Sequence, residues 1–229
     1  MCGRFVGFRS VEELKRYLPI DRAPVEATAN YNVAPSQPIL AVVRQEEVNV
    51  LQQLHWGLVP HWAKEPSIGA KMINARMETV AAKPSFREAF KKRRCLIPAD
   101  GFYEWKGPKG DKQPVYITLP GGAPFAFAGL WASWTDRGRL ETPYLSCTII
   151  TRPAEGDLKA IHHRMPAILH PDDYAAWLDP ANADTAGLSE MLVQRTVVDL
   201  VFQPVARRVN VVRNNGPENI KPVQLELDF

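Results

Sequence analysis

Ile39-Leu40-Ala41-Val42-Val43 and Val48-Asn49-Val50-Leu51-Gln52-Gln53-Leu54-His55-Trp56-Gly57-Leu58, separated by the polar Gln45-Glu46-Glu47, decide the fold class. β-branched and apolar residues dominate both runs, so the pattern predicts two strands joined by a polar turn. Similar runs recur at Cys95–Ile97, Val115–Leu119, Phe125–Trp134 and Tyr144–Ile150, each bounded by Gly, Pro or charged residues. After a first strand, Ser10-Val11-Glu12-Glu13 has capping-box spacing and predicts a short amphipathic helix leading through Leu18. Residues 21–37 read as loop. Helices are expected at 85–93 after Pro84 and near 155–161, 172–178 and 187–194.

Strands grouped without regular βαβ alternation give an α+β class, with a largely antiparallel, barrel-like curved sheet and a few short helices. The 229 residues read as a single domain, 1–229, without repeat, low-complexity tract or linker. Gly107-Pro108-Lys109-Gly110 falls inside an expected hairpin and so makes a weak boundary. A hydrophobic content of 45% with 23% charged residues excludes a disordered or collagen-like chain, and 20 prolines with 14 glycines favour short strands over a coiled coil.

Lys and Arg total 28 against 25 Asp and Glu, a formal charge of +3 that suits anionic partners without requiring them. The start Met1-Cys2-Gly3-Arg4-Phe5 lacks the apolar run of a secretory signal, and no stretch is long and apolar enough to span a bilayer. A cytoplasmic protein with no membrane partner is expected. The three cysteines, Cys2, Cys95 and Cys147, show no C-x-x-C spacing, so neither a disulfide framework nor a zinc site is indicated. Neither phosphate-cradling glycine loops nor metal-ligand clusters are present in the pattern, and no cofactor or metal is expected. Cys95 and Cys147 lie in apolar runs, where free cysteine behaves as a small buried hydrophobe.

Cys2 is the most suggestive residue for chemistry. Initiator methionine is readily removed ahead of small side chains, which would leave a cysteine bearing both a thiol and an α-amine. With reference pKa values of about 7.7–8.0 and about 8.5, both groups are expected to be partly nucleophilic near neutral pH. Such a residue can condense with an aldehyde and close a thiazolidine through sulfur. Its thiolate could instead attack a carbonyl, as in N-terminal nucleophile amidohydrolases, or Cys2 could simply be the second residue of the chain.

Four further segments are informative: Tyr31-Asn32-Val33-Ala34-Pro35, Ile73-Asn74-Ala75-Arg76-Met77-Glu78, Pro98-Ala99-Asp100-Gly101-Phe102-Tyr103-Glu104-Trp105 and Ile161-His162-His163-Arg164-Met165-Pro166. With the Met-Cys-Gly-Arg-Phe start, and with Pro204-Val205 and Asn214-Asn215-Gly216 near the end, the chain resembles the SOS response-associated peptidase family of abasic-site processing proteins over nearly its whole length. The resemblance implies covalent capture of abasic sites in single-stranded DNA through the cysteine exposed by removal of Met1. It matches the nucleophile to Cys2, the asparagine of the Asn-Ala-Arg motif to Asn74, the glutamate of the Glu-Trp motif to Glu104 and the histidine to His162. The family name also implies a peptidase activity, which could be limited to exposing Cys2.

The residue types fit these roles. His162 can move protons at neutral pH and so help open the sugar ring. Glu104 can exchange protons with the α-amine, and burial among Phe102, Tyr103 and Trp105 is expected to raise its pKa. Asn74, a neutral donor and acceptor, suits orientation of the sugar hydroxyl or the amine. In isolation, asparagine more often forms turns, a glutamate beside aromatics often ends a strand, and His162 could simply end its helix favourably. His55, His61 and His170 are read as structural. Arg4, Arg76 and Arg164 share these motifs and are expected to grip phosphates, while Trp62 and Trp105 offer faces for base stacking. Core packing is the competing reading for both tryptophans, more strongly for Trp105. Lys91-Lys92-Arg93-Arg94 is either an extended electrostatic track or a solvated helix end. A cysteine peptidase and a non-covalent single-strand binding module stand as alternative functions.

Overall fold

The computed structural model describes residues 2–108, 110–136 and 142–224; Lys109 of the expected hairpin turn lies outside them. In chain order the strands are β1 (Phe5–Gly7), β2 (Asn30–Val33), β3 (Pro38–Gln45), β4 (Val48–Trp56), β5 (Asn74–Arg76), β6 (Arg94–Ala99), β7 (Gly101–Lys106), β8 (Gln113–Thr118), β9 (Phe125–Trp134), β10 (Tyr144–Pro153), β11 (Arg164–Pro166), β12 (Ile168–Leu169) and β13 (Val201–Pro204). The α-helices are α1 (Val11–Leu14), α2 (Met77–Val80), α3 (Arg87–Lys92), α4 (Tyr174–Leu178) and α5 (Thr185–Gln194). No helix among the described residues is long and apolar enough to cross a membrane.

The deciding hairpin forms as its sequence predicts. β3 and β4 pair antiparallel from Pro38↔His55 to Gln45↔Val48, leaving Glu46 and Glu47 as the turn. Glu46 has φ 53, the left-handed conformation that a tight turn demands. From there the larger sheet curls. β3 pairs β6, β6 pairs β9, β9 pairs β10, and β10 returns to β4 through a short parallel register, Ser146↔His55 and Cys147↔Trp56. The path β4-β3-β6-β9-β10 thus closes on itself, and β5, β11 and β12 attach to its rim. A second, five-stranded sheet runs β13-β8-β7-β1-β2.

Both faces of the ring strands are buried, which explains their near-continuous apolar runs. Ile39, Ala41 and Val43 of β3 join Trp56, Ile97 and Phe127 in the core against the five-stranded sheet. Val42 shares a second core with Leu14, Phe90, Trp177 and Leu192 of the helical layer. Phe5 sits edge-on to Trp56 at 5.2 Å and to Phe127 at 5.8 Å, and these contacts lock β1 onto the ring. On its outer face the small sheet packs Val6, Tyr103 and Tyr116 against Val205 and Val209.

Two expectations need correction. The 21–37 segment contains β2, whose asparagines have weak strand propensity; pairing with β1 and donation from Asn32 Nδ2 to the carbonyls of the 209–214 segment, Asn214 O at 2.8 Å the shortest, hold it extended. The helices near residues 10 and 155 are shorter than their patterns suggest. Ser10 does form the capping box with Glu13, but α1 has only four residues, and Gly156–Ala160 is a 3-10 turn. After Lys15 the first segment tightens, with Arg16 and Tyr17 N–H turning to the i−3 carbonyls of Glu13 and Leu14, although Leu14 and Leu18 both still face the core. α5 is capped by Asp184, whose carboxylate accepts from Gly187 N–H at 2.9 Å.

After β4 the chain makes a loop whose base is closed by two glycines. Gly57 has φ 135, and a Cβ there would lie 2.5 Å from Gly69 O. The contact brings Leu58 N–H onto Met72 O and delivers the chain to β5. Gly57→Ala is therefore expected to cost about 2–4 kcal/mol through combined strain and overlap, read by denaturant unfolding. A loss below about 0.5 kcal/mol would show that the loop base yields freely.

Candidate active site

Cys2 precedes β1 and is completely buried, in the core between the two sheets. Its placement follows from strand pairing. β1 and β7 register Phe5↔Phe102, and Tyr103 N–H donates to Arg4 O at 2.9 Å, carrying the ladder one step beyond β1. Continued once more, this register sets Gly3 across from Glu104. Glu104 shares its β7 face with Phe102, the face turned toward the Cys2 core. From the other side, Asn74 Nδ2 donates to Cys2 O at 2.9 Å.

Asn74 is carried by β5, which pairs parallel with β10 through Ile149↔Asn74 and Thr151↔Arg76. His162 lies just before β11, which pairs antiparallel with the same end of β10 through Thr151↔Pro166. The His162 ring accepts Arg164 N–H at Nδ1, 2.9 Å away, and stacks on His163 at 4.4 Å. With Nδ1 as the acceptor, the neutral ring carries its proton on Nε2.

The electrostatics of the site follow from its burial. Glu104 is 4% exposed, and burial raises its pKa above the ordinary glutamate value, as its aromatic flanks predict. Burial lowers the pKa of His162, with the charges of His163 and Lys112 acting in the same direction. Both residues are therefore biased toward their neutral forms. The Cys2 thiol is pushed up strongly by burial and further by the charge of Glu104. This corrects the expectation of a partly ionised thiol at neutral pH: in this environment the sulfur keeps its proton until a base removes it. Cys95 and Cys147 are buried and similarly raised, as expected of apolar-core thiols.

The residues expected to contact DNA separate into two sets. Trp62, 49% exposed in the loop after β4, and the exposed Arg76 are presented to solvent. Arg4 and Trp105 instead lie against the segment that covers the small sheet. Arg4 Nη1 donates to Asn32 Oδ1 at 2.6 Å and to Val209 O at 2.8 Å, and its guanidinium sits 5.8 Å from the Trp105 ring. Trp105 Nε1 donates to Asn210 Oδ1 at 2.7 Å. Arg164 is 7% exposed and its fork is closed on Glu78 and Thr151 O, so in this structure its guanidinium is built into the fold. Sequence reasoning passed over Glu78 and Lys112. Lys112 carries no local signal, since only the β7–β8 hairpin brings its charge within reach of Glu104 and His162.

A buried cysteine near the chain start, held by an asparagine and facing a glutamate, with a histidine just before a strand on the same end of β10, is the arrangement the fold assembles. Residues 1–212 match the family model described as SOS response associated peptidase (SRAP), and the chain belongs to that family. It is 43% identical over 226 residues to the abasic site processing protein YoqW of Bacillus subtilis, covering 96% of this chain and 99% of that one. It is 32% identical to the abasic site processing protein YedK of Escherichia coli, covering 97% and 100%. Similarity to the abasic site processing protein HMCES of Gallus gallus is 36%, over 86% of this chain and 67% of that one. Among solved structures, a protein from Bacteroides thetaiotaomicron shares the fold with TM-score 0.82 at 23% identity, covering 97% and 100%. A phage-related protein from Bordetella bronchiseptica matches with TM-score 0.71 at 33% identity, covering 90% and 95%.

The raised Glu104 pKa has a definite consequence for stability. The contribution of a group whose pKa is higher in the folded than in the unfolded chain is complete below the unfolded value and is lost as pH climbs through the folded one. Glu104→Gln cannot ionise, so its melting temperature relative to the parent should rise as pH increases through that interval. A difference that stays flat from about pH 4 to about pH 8 would falsify the buried ionisation.

Proposed function

We propose that this protein, after removal of Met1, captures abasic sites in single-stranded DNA by forming a thiazolidine between Cys2 and the C1′ aldehyde of the lesion. The observation that carries this reading is the placement of Cys2 beside Asn74 and Glu104, with His162 just before the strand β11 at the same β10 end, in a chain whose relatives are named abasic site processing proteins. The resulting link would shield the lesion during DNA repair and replication.

The chemistry follows the protonation states. The Nε2–H of His162 donates to the ring oxygen as the C1′–O4′ bond breaks, and solvent takes the proton of the C1′ hydroxyl, leaving the open-chain aldehyde. The Cys2 amine adds to C1′ to give a carbinolamine. Glu104, whose pKa burial raises, donates a proton to the carbinolamine hydroxyl, which leaves as water and generates the iminium. The carboxylate so formed takes the proton of the Cys2 thiol as sulfur bonds to C1′, and the ring closes. Amine, thiol and aldehyde have then become thiazolidine and one water, with no change of oxidation state. Asn74 holds the Cys2 carbonyl through Nδ2. Its Oδ1 is buried without a hydrogen-bond partner among the described residues, so it can accept from the Cys2 amine.

Trp62 supplies a face for a neighbouring base and Arg76 a cation for a flanking phosphate. A peptidase working on unrelated chains would need a ready thiolate, which the buried sulfur does not supply. Peptidase action confined to releasing Met1 is compatible with the site.

Denaturing gel analysis of Met1-processed protein with a single-stranded abasic oligonucleotide tests the proposal. A band that survives heat and detergent is expected with the abasic strand and absent with an intact strand or with Cys2→Ala. Equal non-covalent binding of both strands without such a band would support a simple binding module instead. Glu104→Gln is expected to slow crosslinking by about 10²-fold or more, as for loss of a general acid–base group. Its wild-type rate would remove Glu104 from the mechanism.

A further inference from the structure

We infer that Glu78 is a positioning residue for the reaction proposed above, on which this inference rests, acting through Arg164 to fix His162 relative to Asn74. Asn74 is carried by β5 and His162 stands two residues before β11, strands of three residues each. Ladders so short cannot by themselves fix how the two segments sit on β10. A side-chain bridge joins them directly.

Glu78 lies in α2, which continues from β5 without a break. Its two carboxylate oxygens meet the two terminal nitrogens of Arg164 in a fork, with Arg164 Nη2 at 3.0 Å from Oε2 and Nη1 on Oε1. Arg164 Nη2 also donates to Thr151 O at 2.5 Å. Thr151 is the β10 residue registered with both segments, opposite Arg76 of β5 and Pro166 of β11. The backbone N–H of Arg164 is in turn the donor to His162 Nδ1. A continuous path therefore runs from Asn74 along β5 and α2 to Glu78, across the ion pair to Arg164, and through its main chain to the imidazole.

Charge and burial make this path stiff. The Arg164 side chain is almost fully enclosed while that of Glu78 reaches solvent, so Glu78 is the group that compensates a guanidinium the fold has taken out of water. Removing that charge leaves Arg164 buried and uncompensated, and the segment bearing it must shift to rehydrate. A bidentate pair also fixes orientation, which a single point contact would not.

The test uses Met1-processed full-length protein carrying Glu78→Gln, which keeps the shape and removes the charge, beside Glu78→Asp. Two quantities are read. One is the crosslinking rate with a single-stranded abasic oligonucleotide, resolved into the saturating rate and the half-saturating strand concentration. The other is the titration midpoint of the His162 ring by NMR. For Glu78→Gln the saturating rate should fall about tenfold or more while the half-saturating concentration changes less than about twofold, as for misplacement of a reacting group. The His162 midpoint should rise toward the ordinary histidine value as the segment loosens, and Glu78→Asp should recover part of both. If Glu78→Gln does not fold, Glu78→Asp gives the same readings at smaller amplitude.

A wild-type saturating rate with an unmoved His162 midpoint overturns the inference. So does a rise confined to the half-saturating concentration, which would make the pair a DNA contact. If the parent itself forms no crosslink, the proposed function fails. The His162 midpoint then decides the positioning role alone, and an unmoved midpoint overturns it.

Discussion

A chain start buried between two sheets must have its peptide groups satisfied, because an unpaired N–H or C=O in the interior costs about as much as a lost hydrogen bond. The rest of the structure answers that constraint. β7 takes up Arg4 O through Tyr103 N–H, and Asn74 takes up Cys2 O. Phe5 anchors the following residue between Trp56 and Phe127. The same β7 strand that pairs with the chain start presents Glu104, so the contacts that bury Cys2 are inseparable from those that bring it to its carboxyl group.

Burial then sets the chemical character of the site. One low-dielectric environment acts on three titratable groups and moves each toward its uncharged form: Glu104 and Cys2 upward, His162 downward. The exposed features, Trp62 and Arg76, lie outside this enclosure and suit a nucleic-acid strand. Trp105 neighbours Glu104 and Arg4 neighbours Phe5, and strand alternation turns both away from the Phe102–Glu104 face to the other side of the sheet, where they bind the Val209–Asn210 segment.

The parts of the fold legible in the sequence are those whose residues state their own preference. β3, β4, β9 and β10 are long, apolar and β-branched, and their ends are marked by charge or proline. β2, β5 and β11 contain Asn30, Asn74 and Arg164 and owe their extended form to neighbours contributed by distant parts of the chain. The site divides in the same way. Glu104 was legible because its aromatic flanks foretold its burial, and Cys2 because of its place after Met1. Glu78 reads locally as an ordinary first-turn acid of α2, and its tie to Arg164 spans 86 positions. No local pattern reaches that far.

The closed ring has a bearing on how the protein comes into being. β10 completes it, pairing with β9 on one side and with β4 and β5 on the other, so closure waits until Pro153 has left the ribosome. Synthesis at about 5–20 residues per second leaves the chain start without its enclosure for several seconds. Under the proposed function, Met1 would be accessible for removal during that interval, before the interior that holds Cys2 has closed. The contacts that enclose the first residues come from strands synthesised long after them, so the order of synthesis and the order of enclosure run apart.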